Sequence, residues 1–364
     1  MIHNFLRYVV YSVVTFFSFS PAIASGKGVD GGGIDVKEIV LGHLGDAYEW
    51  HFFATENVEG TIPLPCIVRD EETHEWKVFM SSKIHEAMEH GEANYQGFYF
   101  NEERNGKIYQ QLSDGTSVRP LDFSITKNVS QILLTSLILI VVFLGCARWA
   151  KGHNSKEDAP GGFVGMMEAL VMYLVNDLIK PCVGEKHYRP FVPYLLTVFF
   201  FILVSNLLGL VPGGANVTGN INITFFLAFC TMLAVNLSGN KEYWKEIFWP
   251  DVPVMLKFYP IAIMPVIEMF GIISKPFALM VRLFANMMAG HAIILSFLAI
   301  IFVTCAMGGW MSYVVGGGMT IMSFVMILFM NFLECLVAFV QAYVFTLLSA
   351  VFIGLSHPVH EHKA

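Results

Sequence analysis

Long apolar runs separated by short polar links fill the last two thirds of the chain. Residues 132–149 form an apolar run whose single charge is Arg148, next to its last residue Trp149, close to the ~20 residues that cross a bilayer core. A connector follows over 151–190, carrying Lys151, Lys156, Lys180, Lys186 and Arg189. Within it, GGFVGMMEALVMYLVNDLIKP has helical periodicity interrupted by Glu168, Asn176 and Asp177, a pattern that predicts an amphipathic helix lying in the membrane interface. Residues 192–211 and 221–237 read as two further spans, joined by the uncharged link GANVTGN. A loop with Lys241, Lys245 and Lys257 comes next.

The remaining hundred residues do not fit simple crossings. Residues 260–305 carry only Glu268, Lys275 and Arg282 and would be ~69 Å long as one helix, against a hydrocarbon core of ~30 Å. The run must tilt steeply, break or cross twice, with Pro265 and Pro276 as bending points. A glycine-rich turn at 308–318 leads to a second long run, 320–356, and the tail HPVHEHKA. One tilted crossing for each run is expected, which puts the tail inside with Lys363. The predicted fold is therefore an all-α integral membrane protein: about five transmembrane helices plus an interfacial amphipathic helix, the last two spans long and steeply tilted as a hairpin.

The N-terminal part differs. Arg7 precedes an apolar stretch of about a dozen residues, then Pro21 and the small-x-small triplet Ala22-Ile23-Ala24, the pattern of a cleaved signal peptide over 1–24. A short anchor helix is the alternative. Residues 25–127 are polar, and the boundaries expected are an exported (periplasmic) region there, a membrane domain over 128–358 and a cytoplasmic tail over 359–364. GVDGGGID is a flexible lead. Alternating stretches such as WKVFM and GFYF, with NG at 105–106 and DG at 114–115, predict a few short strands, either as a small β-containing domain or within a partly disordered segment. His51, His74, His85 and His90 have no metal-ligand spacing.

Composition agrees with the runs. Of 364 residues, 55% are hydrophobic and 14% charged, where a soluble domain carries ~25% charged residues. The net charge of −7 comes from acidic residues crowded into 30–125, and no basic run points to nucleic acid. Six cysteines, only Cys66 among them in the polar region, read as packing residues. Basic residues sit in the connector and in the 239–258 loop but not in the 212–220 link. The positive-inside rule then puts connector, loop and tail inside, in agreement with an exported N-terminus.

Chemistry concentrates in the last two runs. An arginine at mid-bilayer costs ~2.5–3.5 kcal/mol on insertion scales and marks function by default; the structural alternative is an ion pair of Arg282 with Glu334. Asn286, four residues on, shares a helix face with Arg282. Lys275 and Glu268 share that stripe if Pro276 does not twist the helix. His291 lies near the opposite face and ~13 Å further along the axis. On the returning run Glu334 and Gln341 share a face. With Gln341 level with Arg282, an antiparallel neighbour carries Glu334 close to the level of His291. His291 and Glu334 can take and release protons, whereas Arg282 holds its charge and acts as barrier and electrostatic anchor. Its carboxylate partner is then expected in another subunit.

The segments SNLLGLVPG, NINIT, KPFALMVRLFANMMAGHAI and FLECLVAFVQAYVFTLLSAVFIGLS resemble the subunit a family of the F-type ATP synthase membrane sector, from about residue 128 to 356. The resemblance implies that Arg282 is the arginine facing the rotating c-subunit ring. Asn286 and Gln341 match polar residues near it, and Glu268 a further acidic position. His291 and Glu334 match a proton-exchanging pair, with the two residue types exchanged relative to many bacterial members. Ala278 stands where some members have a serine on the inner access route. The resemblance further implies a non-catalytic stator subunit in the bacterial inner membrane, without a cofactor of its own. Its implied partners are the c-ring, peripheral-stalk b subunits, lipid and protons. The extended N-terminal region departs from the short form of the family.

Two rival classes remain in the sequence. A stand-alone secondary transporter or channel would place its own acidic counterpart beside Arg282 and often show internal repeats; no repeat is visible. A membrane metalloenzyme has only HPVHEH at 357–362 for support, without the H-E-x-x-H spacing. No G-x-x-x-x-G-K-[ST] loop is present for nucleotide binding.

Overall fold

A computed structural model of the chain describes residues 45–55, 58–90, 94–101, 106–152, 161–211, 213–248, 263–306 and 317–357. The signal segment, the GVDGGGID lead and the tail beyond His357 lie outside the described residues, as does most of the glycine-rich turn. The chain divides into two compact units. The first takes residues up to 134, 207–217 and 290–333; the second takes 135–206, 218–289 and 334 onward.

The first unit carries the strands. β1 (Glu49–Thr55) pairs antiparallel with β2 (Val58–Pro63). β3 (Pro65–Arg69) lies between β4 (Trp76–Met80) and, further along the chain, β8 (Leu121–Asp122). β5 (Phe98–Asn101), β6 (Lys107–Gln111) and β7 (Ser117–Val118) form a third sheet, and α1 (Ser82–Glu89) follows β4. The WKVFM stretch is β4 and GFYF enters β5, so the alternating pattern forms strands as predicted. The DG turn uses Gly115 at φ 77°, a left-handed position that glycine adopts without a Cβ penalty. Cys66, Val68, Phe79, Ile84, Phe98, Phe100 and Ile108 close a core around Tyr48. Burial pushes the Cys66 thiol up to about 12, with the Asp122 carboxylate adding to the effect.

Asp70 organises the β3–β4 turn. Its Oδ1 accepts from the backbone N–H groups of Glu72 and Thr73 and from Gln110 Nε2 at 2.8 Å, while Lys77 Nζ sits 2.6 Å from Oδ2. Burial opposes ionisation, but these donors outweigh it and hold the carboxyl well below its usual range. The strand region is tied to the helix that follows. Asn128 N–H donates to Asp46 Oδ1, and Lys127 N–H to the Ala47 carbonyl. Trp50 Nε1–H donates to the Gly213 carbonyl at 2.6 Å.

Among the described residues, six helices are long and apolar enough to cross a membrane by length and composition. They are α2 (Lys127–Gly152), α3 (Gly162–Val183), α4 (Val192–Gly209), α5 (Ile221–Ser238), α7 (Ile263–Ala306) and α8 (Gly317–Leu355). A short amphipathic α6 (Lys241–Phe248) precedes α7. The sequence reading counted five spans and assigned the connector helix to the interface; α3 is that helix, and its length and composition also admit a crossing. A π-helical turn over Leu174–Ile179 interrupts it. Pro181 supplies the cause: it has no N–H for the Asp177 carbonyl, and its ring crowds that oxygen, so the preceding turn widens. α5 begins at Asn220, whose side chain accepts from the Asn222 N–H at 3.0 Å, a standard helix-start cap.

α7 resolves the alternatives left by its length. It is one helix of 44 residues running through Pro276, ~66 Å long at ~1.5 Å per residue. The break and the double crossing are set aside, and inclination is the way such an apolar rod stays in a ~30 Å core.

The second unit's core gathers Leu174, Leu178 and Ile179 of α3, Leu195, Phe199 and Ile202 of α4, Leu279 and Leu283 of α7, and Phe345, Ala350 and Ile353 of α8. Near its end α8 meets α3 so closely that a Cβ on Gly354 would collide with the Cys182 carbonyl oxygen. Glycine is required there by approach, not by φ.

Candidate functional site

Five of the six residues singled out in the sequence, Glu268, Arg282, Asn286, Glu334 and Gln341, fall in the second unit. Arg282 is exposed on α7, and no ion pair joins it to a carboxylate among the described residues. The structural alternative, a bridge to Glu334, is not among these ion pairs. Ala278, Ala285 and Ala289, at −4, +3 and +7 from Arg282, are exposed as well and share its face. Small side chains on both sides of a cation leave room for a neighbouring helix to approach it closely.

Asn286 Nδ2 donates to Gln341 Oε1 at 2.8 Å, joining α7 to α8 one turn beyond Arg282. Gln341 is buried, and its Nε2 has no hydrogen-bond partner among the described residues. Glu334 is also buried on α8, two turns earlier. Glu268, in the first turns of α7, is partly buried. It lies near Tyr243 of α6, whose phenol is pushed up first by burial and then by this carboxylate. Tyr243 Oη donates to Asn236 Oδ1 at 3.1 Å. Both line a cavity of about 20 Å³, together with Thr231, Lys275 and Pro276, which is room for a single water. Lys275 Nζ rests 5.7 Å from the centre of the Phe352 ring.

His291 belongs to the first unit. Its Nε2 lies 3.1 Å from the Gly209 carbonyl oxygen. A carbonyl only accepts, so Nε2 carries the proton. A Cβ on Gly209 would stand 3.3 Å from the Ala215 carbonyl oxygen, a tight approach within the same loop, and 3.9 Å from His291 Nε2, an ordinary contact. Gln131 of α2 clamps the same loop, accepting from the Ala215 N–H and donating to its carbonyl at 2.8 Å.

The reading of the sequence passed over several buried polar groups. Ser205 and Asn206 sit inside α4, and Thr218 Oγ1 donates to Asn206 Oδ1 at 2.6 Å. Thr231 pairs with Tyr194 at 2.9 Å. An amide inside an otherwise apolar run was the available signal for Asn206, since such groups are expensive in lipid unless used. Thr218 and Tyr194 carry no such signal.

The model of the family described as ATP synthase A chain matches residues 132–354. The chain belongs to the ATP synthase A-chain family. A second family model, a domain of unknown function (DUF8433), matches residues 39–123. Among curated proteins, the chain is 43% identical over 253 residues to ATP synthase subunit a 2 of Chlorobaculum tepidum, covering 68% of this chain and 69% of that one. It is 40% identical over 288 residues to ATP synthase subunit a of Chlorobium phaeobacteroides, covering 76% and 80%. To ATP synthase subunit a of Anaeromyxobacter dehalogenans it is 38% identical over 263 residues, covering 70% and 64%. As an ATP synthase subunit a, the chain is a multi-pass, non-catalytic part of the membrane sector; it partners other subunits of the synthase, and ATP chemistry resides in them.

Proposed function

We propose that this subunit a is the proton-conducting stator of an F-type ATP synthase in a bacterial inner membrane. Residues 1–24 are a signal peptide, 25–127 an exported region, 128–358 the membrane domain and 359–364 a cytoplasmic tail. The N-terminus is outside and the C-terminus inside. Peripheral-stalk b subunits hold the chain, and its Arg282 face meets the ring of c subunits.

Two offset half-channels serve the ring. Protons arrive from outside by way of the exchangeable groups Glu334 and His291 and neutralise a ring carboxylate, which can then turn through lipid. After nearly a full turn the carboxylate meets the inner half-channel and releases its proton near Arg282, with Glu268 a further acidic group in the translocation path. Arg282 attracts the ionised carboxylate and, because a guanidinium cannot deprotonate, it relays no proton between the half-channels. Asn286 and Gln341 hold the adjoining turn in place. Each charge crossing the membrane is worth ~2.3 kcal/mol per 100 mV, so several must pass per ATP and leakage past the ring is costly.

The observation that carries this reading is an exposed arginine on an apolar helix, flanked by alanines, with no carboxylate of its own among the described residues. ATP-driven acidification of inverted membrane vesicles tests it. Arg282→Ala abolishes pumping while the complex stays assembled and its soluble-sector ATPase persists. Unchanged pumping would return the chain to the transporter class.

A further inference from the structure

The strand region of the first unit has a sheet that is apolar on both faces. Along β4, Phe79 turns into the core, while Trp76, Val78 and Met80 on the other face are 53%, 68% and 41% exposed. Their cross-strand partners on β3 are Arg69, Ile67 and Pro65, and Leu121 of β8 stands opposite Arg69. Phe123 continues the patch: its N–H donates to the Ile67 carbonyl, its ring lies 5.6 Å from that of Trp76, and it is 66% exposed. A sheet with one solvated face ordinarily alternates apolar with polar, and a contiguous exposed apolar patch marks an interaction surface.

We infer that this face rests in the headgroup and upper acyl-chain zone of the lipid bilayer, anchoring the strand region to the membrane surface. Three observations select lipid as the occupant. Phe123 precedes the start of α2 at Lys127 by four residues, so the chain can separate them by at most ~14 Å. The patch thus leads directly into Val129, Leu133 and Leu134, exposed apolar residues in the first two turns of α2. The region is also fixed to that end and not tethered loosely, through Asp46 to Asn128, Ala47 to Lys127 and Trp50 to Gly213. Finally, an indole, a phenyl ring, aliphatic side chains and one arginine make up the mixture that settles at the boundary of headgroups and acyl chains. The inference holds for either orientation of the chain, since it needs only that α2 begins at the surface where the strands lie.

The test uses the assembled synthase in liposomes, with Val78→Cys carrying a bimane fluorophore read above the signal of the parental chain. Lipids brominated near the top of the acyl chain remove most of the emission, and aqueous iodide leaves it largely intact. Met80→Cys gives the same pattern, whereas Asp114→Cys, on the exposed DG turn, shows the reverse. Quenching of Val78→Cys by iodide as complete as at Asp114 would overturn the inference. So would protection from both quenchers, which would mean that a protein segment, another subunit or a second copy of this chain covers the face.

Discussion

Replacing Asn286 by leucine and Gln341 by leucine should not cost the same, although the two side chains share one hydrogen bond. Asn286 Nδ2 is the donor and Gln341 Oε1 the acceptor, at 2.8 Å. Gln341 is buried, whereas Asn286 is exposed on one side. Asn286→Leu therefore strands a buried carbonyl oxygen, a loss of ~1–3 kcal/mol. Gln341→Leu removes that oxygen together with an Nε2 that has no partner among the described residues, and the asparagine left behind keeps an open side. Its cost should be the smaller of the two. Inter-helix hydrogen bonds in membranes average ~0.6 kcal/mol and reach ~1.7 kcal/mol, so a double-mutant cycle should return a coupling in that range. The assay is equilibrium unfolding of the purified chain in mixed micelles by increasing SDS, for both single variants and the double variant. A larger loss for Gln341→Leu, with no coupling between the sites, would refute the pairing of α7 and α8 through these amides.

Two further outcomes follow from the packing. Asp70→Asn should weaken the strand region at pH 7 and flatten its acid response. A carboxyl held below its ordinary value stabilises fully above ~4 and loses that contribution as pH falls through its folded value. Amide hydrogen exchange of residues 61–122 in the full chain, from pH 7 down to pH 3, reads this; an equal acid response in the variant contradicts it. Gly354→Ala should destabilise the membrane domain by ~1–3 kcal/mol, the usual penalty of overpacking, because its new Cβ meets the Cys182 carbonyl. Gly318→Ala, which meets nothing within 4 Å, is the matched control, and thermal inactivation of the solubilised protein compares them.

The spans were legible because lipid demands a run of apolar residues and little else, so 192–211 and 221–237 fall within a residue or two of α4 and α5. The path of α7 was not. Proline permits a bend without dictating one, and packing of Leu279 and Leu283 against α3, α4 and α8 decides that the helix continues through Pro276. The π turn in α3 was within reach, since Pro181 lies four residues beyond Asp177. The connector's polar positions suggest an interfacial helix, and Met167, Leu174 and Leu178, spaced seven and four apart, form its buried stripe; which helices cover that stripe is not written in its spacing. At the site, charge in an apolar run disclosed Arg282 from sequence alone. The bond between Asn286 and Gln341 depends on how two long helices register, and the Tyr243–Asn236 cavity on where α6 folds back. Neither is written in local spacing.

The central claim is that the Arg282 face of α7 belongs against the carboxylates of the rotating ring. Ala285→Cys places a thiol on that face, one turn from Arg282, and a second cysteine is set beside the carboxylate of the ring subunit. Oxidation of the assembled synthase in its membrane should join the two and stop ATP-driven proton pumping, with recovery on reduction. If Ala285→Cys forms no bond to the ring in an active complex, while Phe332→Cys on the exposed side of α8 does so, the ring lies elsewhere and the account fails.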